Sequence, residues 1–473
     1  SFVYPTDGAY VSGTVTVNVS WDDANADKCE LYIDGVLKTT WTTPGYVTYS
    51  WDTTLVTDGS HTLNATAYDL AGNTASDVVS VIVDNTDPSV SIVSPAGGSY
   101  LHGIVTINVS WNDANADKCE LYINDTLYTT WNTPGYVTYD WDTTAEADGV
   151  YIIKAIAYDL AGNTKQDQIA VTVDNTAPTV SIDYPSDGQV VRGTVTIQVT
   201  WNDANADKCE LRIDGTVVRT WTTTGTVTYT WDTLVAGDGT HILNATAYDL
   251  AGNTASDQIT VVVDNTAPTV SIDYPSDGAY VRGIVTIQVT WNDTNPDKCE
   301  LYINDTLYTT WNTVGTVTYD WDTTTEAEGS YIINATAYDQ AGNTAGDIIT
   351  VTVDNTAPTV TIDQPTQGEL VSGTITVQVT WNDTNPDKCE LYVDGTLLTT
   401  WTQTGTKTYS WDTTSVSDGS HTLEARAYDL AGNTASDTVT VTVDNTAPTV
   451  SFVYPTDGAV VGGIVTVNVS WDD

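Results

Sequence analysis

The sequence predicts an all-β chain, a tandem array of small two-sheet sandwiches strung like beads. Three observations carry this. A 90-residue period runs through the chain without insertions. Apolar and polar residues alternate with period two, with no helix-period stretch between them. Clusters of Gly, Asp, Asn and Pro punctuate the alternating runs as turn residues do.

The period sets the domain organisation. Cys29, Cys119, Cys209, Cys299 and Cys389 are spaced by 90 residues, and so are Trp21, Trp111, Trp201, Trp291, Trp381 and Trp471. A unit of this length is too long for a solenoid repeat and suits one small domain. The expected repeats are 1–86, 87–176, 177–266, 267–356 and 357–446, with 447–473 holding only the first two strands of a sixth. The chain opens with SFVYPTDGAY and closes within SFVYPTDGAV…SWDD. It therefore reads as a window on a longer array.

Within one unit the strands follow in order. In TVTVNVSW, Val15, Val17, Val19 and Trp21 share one face. In KCELYI, Cys29, Leu31 and Ile33 point one way, and Glu30 and Tyr32 the other. Asp34-Gly35 is a hairpin turn, followed by a strand with Leu37 and Trp41 on the inward parity. YVTYSWD sets Val47, Tyr49 and Trp51 together, and HTLNATAY sets Leu63, Ala65 and Ala67 together. AGN turns the chain into a last strand with Val79, Val81 and Val83 inward. Seven short antiparallel strands in one unit predict a sandwich of immunoglobulin type.

The stretches APTVSIDYPSDGAYVRGIVTIQVTW, CELYINDTLYTTW and AYDLAGNTA resemble the bacterial and archaeal Ig-like tandem domains of secreted surface proteins. The AYDxAGNT hairpin followed by VTVDNTAPTV is the most specific part. The resemblance spans the chain. It implies an extracellular or cell-surface location and a role in stalks, adhesins or filaments.

Charge narrows the function. There are 62 acidic residues against 14 Lys and Arg, a net charge of −48. Nucleic acid and anionic membrane surfaces are poor partners for such a chain. With 40% hydrophobic residues and 16 Trp it has ample material for cores, so disorder is not expected. Cation binding, solubility in high salt and a plain solvated surface each account for the acid load.

Immunoglobulin order brings the loop after the second strand, the last hairpin and the incoming linker to one pole. The candidate ligands there are Asp84, Asn85, Asp113, Asn115, Asp117, Asp159 and Asn163. At the next junction they are Asp174, Asn175, Asp203, Asn205, Asp207, Asp249 and Asn253. Hard oxygen donors on loops suit Ca²⁺, although the same residue types are ordinary in turns. The scarce Lys28 recurs in each unit at the mouth of this acidic loop, where an ion pair explains it.

Asn-x-Ser/Thr triplets at Asn18, Asn64, Asn108, Asn124, Asn244, Asn292, Asn304, Asn334, Asn382 and Asn468 are candidate N-glycosylation sites. Asn18 and Asn64 have outward parity, Asn124 and Asn304 sit in the hairpin turn, and all four are expected to be accessible. Trp21, Trp41 and Trp51 are read as core rather than as a sugar platform. His61, His241 and His421 hold a position that is Tyr151 and Tyr331 in the other repeats, which argues against a catalytic base. No nucleophile elbow, phosphate loop or zinc-spaced Cys/His set is present. No enzyme is expected.

The function expected is a structural extracellular fibre or stalk, stiffened by Ca²⁺ at the junctions and N-glycosylated, with other copies of the same chain as partners. The alternative is an adhesin that binds a glycan or another cell. No membrane insertion is expected within this window. Each repeat has one cysteine, so no disulfide closes within a repeat, and Cys29 and its equivalents are read as buried free thiols.

Overall fold

A computed structural model describes all residues, Ser1–Asp473. In the first repeat the strands are β1 (Phe2–Tyr4), β2 (Tyr10–Val11), β3 (Thr14–Trp21) and β4 (Ala26–Ile33), followed by β5 (Val36–Trp41), β6 (Gly45–Asp52), β7 (Gly59–Asp69) and β8 (Thr74–Val83). One sheet has the order β1-β3-β6 and the other β2-β8-β7-β4-β5. Repeats two to five keep both orders. In the last residues only Thr449–Tyr454 and Asn468–Asp472 pair.

Eight strands form where seven are expected, because the first one is split. Pro5 follows a cis peptide bond and has no N–H for the ladder, and Gly8 turns the chain at φ 78. β1 pairs antiparallel with β3. After the turn, β2 pairs parallel with β8 on the opposite sheet. One run of sequence thus closes one flank of the sandwich by belonging to both sheets.

The alternation locates the core. Val15, Val17, Val19, Trp21, Cys29, Leu31, Ile33, Trp51, Leu63 and Val81 are buried between the sheets. Trp41 is half-buried at the edge of this core. Leu37 departs from expectation and is 49% exposed. The register slips between β4 and β5, with Leu31 opposite Thr39 but Tyr32 opposite Leu37. Lys38 is the extra residue of a bulge, and one extra residue reverses parity. The turn before it needs left-handed backbone twice, at Asp34 (φ 55) and Gly35 (φ 73).

Glu30 points away from the core, yet it is 8% exposed. Lys28 Nζ lies 2.5 Å from Glu30 Oε1, and Tyr32 OH donates to Glu30 Oε2 at 2.6 Å. Lys28 also covers the Tyr68 ring at 4.8 Å. The lysine's partner is therefore two residues along its own strand, not the acidic loop. Its repeat at Lys118, Lys208, Lys298 and Lys388 reflects a surface cluster on the five-stranded sheet.

The chain divides into two compact units. The first comprises Ser1–Gln189, Thr194–Trp231 and Thr240–Val261; the second comprises Val190–Gly193, Asp232–Gly239 and Val262–Asp473. The clusters at the first two repeat junctions lie within the first unit. Those at the third and fourth lie within the second.

All five cysteines are buried and unpaired. Burial pushes the Cys119 and Cys389 thiols up to about 12 and those of Cys209 and Cys299 up to about 11. Thiolate is the reactive form. Native chain at pH 8 should resist a maleimide reagent, and all five positions should label after denaturation, read by intact mass.

Candidate functional site at the repeat junctions

Each junction is built around the residue that follows β8 or its equivalent. Asp84 donates its backbone N–H to Val11 O at 3.1 Å, inside the first repeat. Its carboxylate accepts from Asn115 Nδ2 at 2.6 Å, and its carbonyl accepts from Asn163 Nδ2 at 2.8 Å, both in the second repeat. Two loops of the second repeat are shaped to meet it. Asn115 N donates to Asp113 Oδ1 at 2.7 Å. Asn163 closes the AGN hairpin by donating N–H to Asp159 Oδ1 and Nδ2 to Asp159 Oδ2, at 2.8 and 2.6 Å. Leu160 N donates to Asn115 O at 2.8 Å and ties the two loops together.

This arrangement gathers three carboxylates. Oxygens of Asp84, Asp113 and Asp159 lie within 4.8 Å of one another. The groups Asp174/Asp203/Asp249, Asp264/Asp293/Asp339 and Asp354/Asp383/Asp429 repeat it. Asp84 and Asp159 are each 3% exposed, and Asp113 is half-buried. Burial, and then the charges of Asp84 and Asp159, push the Asp113 carboxyl above its usual range. Asp203, Asp293 and Asp383 are raised with the same leading cause. Three like charges this close favour protonation or a counter-cation, and carboxylates with a linker carbonyl nearby are the donors that a hard divalent ion takes.

Of the sequence candidates, Asp84, Asp113, Asn115, Asp159 and Asn163 come together. Asp174, Asp203, Asn205, Asp249 and Asn253 do so at the next junction. Asn85 does not join them. It faces back into its own repeat, where N donates to Asp58 Oδ1 at 2.9 Å and Nδ2 to Thr53 O at 3.0 Å. Its Oδ1 accepts from Gly13 N at 3.1 Å. Asn175 is held in the same way by Asp148 and Thr143. Asp117 and Asp207 are exposed on strands, one step beyond the loop. The linker is thus gripped twice, by Asn85 below and Asp84 above.

A further grip escaped sequence reasoning because its residue type changes from repeat to repeat. Ser12 Oγ donates to Ala161 O at 3.0 Å. Arg192 holds the same position two pairs further on, donating Nε to Ala341 O at 3.0 Å and Nη1 to Asn343 Oδ1 at 3.2 Å. Arg282 Nε donates to Ala431 O at 3.2 Å. The recurring acceptor is a backbone carbonyl in the AGN hairpin, which leaves no mark on side-chain identity.

The triplet asparagines fall into two classes. Asn124, Asn292, Asn304, Asn382 and Asn468 are exposed. Asn18, Asn64, Asn108, Asn244 and Asn334 are half-buried, and the amide oxygens of Asn18 and Asn108 are shielded from solvent. Outward parity therefore overstated the access of Asn18, since β3 is the central strand of its sheet and its neighbours cover it.

A family model described as bacterial Ig domain matches residues 1–65, 88–155, 178–245, 268–335 and 358–425. A second, bacterial Ig-like domain (group 3), matches 315–391 and 405–473. Halomucin of Haloquadratum walsbyi is 37% identical over 136 residues, which is 27% of this chain and 2% of that protein. The tetra-tandem repeat in the extending region of a large adhesion protein is similar at 24% identity and TM-score 0.30, covering 73% of this chain and 97% of that one. The fibronectin(III)-like modules of Clostridium thermocellum CbhA are also similar at 24% identity and TM-score 0.29, covering 37% of this chain and 94% of theirs.

The hydrogen bonds of Asn163 give one direct test. Asn163→Ala removes both bonds to Asp84 O and Asp159 Oδ2 and should destabilise the second repeat by about 1–3 kcal/mol. Urea unfolding of the full chain, read by fluorescence, checks it. Lys165→Ala, which loses only an exposed 3.9 Å pair with Asp87, should cost far less.

Proposed function

The chain belongs to the bacterial Ig domain family, and from that premise we propose that it is an extracellular spacer, a stretch of a cell-surface stalk or fibre whose junctions take up Ca²⁺. The observation that carries this reading is the linker Asp, bonded into two successive repeats at each of four junctions with two further carboxylates beside it. A binding protein needs a distinctive surface on some repeat. Here the contacts that join one repeat to the next recur at all four junctions. A domain boundary held by several hydrogen bonds across a five-residue linker resists hinge motion better than a flexible connection does. Membership of the bacterial Ig domain family and the likeness to Halomucin support a surface location, and no helix of the chain is long and apolar enough to cross a membrane.

Calcium in this reading offsets the mutual repulsion of Asp84, Asp113 and Asp159. The residues fit the ion by donor type: three carboxylates on converging loops, with the Asp84 carbonyl beside them. N-linked glycan is proposed for the exposed turn residues Asn124 and Asn304. Their Oδ1 atoms accept backbone N–H bonds from Ile152 and Ile332, both at 2.9 Å. Attachment through Nδ2 leaves those bonds in place. No catalytic role is proposed.

Three measurements test the reading. Calcium at about 100 times its dissociation constant should stabilise each loaded junction by about 2.7 kcal/mol over chelator. Calorimetry reads this, and an unchanged melting curve sinks the calcium assignment. Asp113→Asn, made together with Asp203→Asn, Asp293→Asn and Asp383→Asn, should raise the melting temperature in chelator and abolish the response to calcium. Asparagine keeps the Oδ1 that accepts from the amide two residues on, Asn115 N for Asp113, while removing one charge of each triad. Electron micrographs of native material should show a regular axial period and no enrichment on glycan-coated supports; specific glycan capture by one repeat would favour an adhesin instead.

A further inference from the structure

The base of each repeat holds its linker through one short loop, and two chemistries alternate there. In the first repeat the loop between the Thr53–Leu55 turn and β7 carries Thr57 and Asp58. Asp58 braces the linker, accepting from Asn85 N at 2.9 Å and from Thr86 Oγ1 at 2.6 Å. The carbonyl of the preceding residue, Thr57, is held by His61 Nε2 at 2.7 Å. The other ring nitrogen, Nδ1, lies 2.5 Å from Asp34 Oδ2. In the fifth repeat His421 repeats both contacts, with Asp394 Oδ2 at 2.6 Å and Ser417 O at 2.7 Å. Asp418 there takes Asn445 N at 2.7 Å and the Thr446 hydroxyl.

A carbonyl oxygen and a carboxylate oxygen can only accept. An imidazole with both nitrogens on such acceptors must carry two protons. Repeats two and four solve the same problem without a titrating ring. Tyr151 OH donates to Ala147 O at 3.0 Å, and Tyr331 OH to Ala327 O at 3.0 Å. Glu146 gathers Tyr128 OH, Trp141 Nε1 and Tyr151 OH. The hairpin turn changes in step. Asp34 uses its second oxygen for His61, whereas Asn124 has no second oxygen to offer, and the residue at the histidine position is Tyr151. Its Oδ1 accepts from Ile152 N just as Asp34 Oδ1 accepts from Thr62 N, both at 2.9 Å.

We propose that His61 and His421 are proton-operated latches on the linkers that follow repeats one and five, and that repeats two and four carry fixed, pH-insensitive versions of the same latch. The Nδ1 proton is shared with a carboxylate, so deprotonation removes the Nε2 proton first. That leaves an imidazole lone pair facing the Thr57 carbonyl in a site where His61 is 8% exposed. The loop is pushed outward and carries Asp58 away from Asn85 and Thr86. The groups facing the ring are few. Asp34 comes from the β4–β5 turn, with Lys38 of β5 acting on the same carboxylate. Trp51 of β6 packs edge-on at 5.9 Å, and Val81 of β8 is its cross-strand partner. For His421 the corresponding groups are Asp394, Trp411 at 6.4 Å and Val441.

The sign follows from these contacts. Burial lowers the His61 value, but Thr57 O and Asp34 more than compensate, so it stands above the ordinary one. His421 is raised by Asp394 and Ser417 O against a smaller effect of burial. A raised imidazole contributes its full stabilisation below about pH 6.5 and loses it as pH rises through the folded value. Asp394 is held low by Thr422 N–H and His421, so its contribution is present at neutral pH and fails only on acidification through its folded value.

The test uses the full chain in chelator, so that it is independent of any cation at the junctions. Ring carbon-13 NMR of the four histidines should show His61 and His421 titrating above the value of free imidazole. Amide hydrogen exchange, corrected for its intrinsic pH dependence, should show Asn85, whose N–H is held by Asp58, losing protection across that titration, while Asn175, held by Asp148, keeps its own. The double substitution Asp34→Asn with His61→Tyr, which copies the second repeat, should preserve protection of the first linker at alkaline pH. A ring midpoint at or below the free value, or protection of Asn85 that ignores the titration, overturns the proposal.

Discussion

The structure turns on one residue used twice. The backbone of each linker Asp is fixed by the repeat it leaves, and its side chain and carbonyl are fixed by the repeat it enters. A five-residue linker leaves little slack. Both sets of bonds are satisfied only when the end of β8 and the AGN hairpin of the next repeat keep a set separation. The Asn residues follow from this. Asn163 is the donor that satisfies the linker carbonyl, and Asn115 is the donor for its carboxylate.

That geometry has an electrostatic consequence. Bringing the linker Asp to the pole places it beside Asp113 and Asp159, which are already committed to shaping their loops. None of the three can be moved away without breaking a turn, so their repulsion is built in. The raised carboxyl of Asp113 reflects its burial first and this repulsion second. The same negative charge spread over the exposed faces costs little by comparison, because water screens it. Acidity alone is therefore a weak argument for a cation, and the convergence of three buried or half-buried carboxylates is a stronger one.

The alternation between odd and even repeats shows how one backbone accepts two polar solutions. Asp34 with His61 and Asn124 with Tyr151 perform the same two tasks: closing the turn and holding the carbonyl before the linker brace. They differ in whether the donor can lose its proton near neutral pH. The exchange of His for Tyr at one position, which counted against catalysis in the sequence, is explained by this shared task. Its partner exchange of Asp for Asn lies 27 residues away and gains meaning only when the two are seen in contact.

The sequence by itself determined the repeat, the alternation of faces and hence most of the core, because a period of two leaves each side chain one possible side. It located the pole where the loops meet, and it identified the cysteines as interior. The tertiary structure decided what depends on register and on contacts across a gap. It split the first strand over two sheets at a proline that cannot extend the ladder. It turned Leu37 outward through a one-residue bulge, and it drew Asn85 and Asp117 away from the triad. Parity says which way a side chain points, but covering, pairing and convergence depend on residues remote in the chain, and these are settled only when the sheets pack.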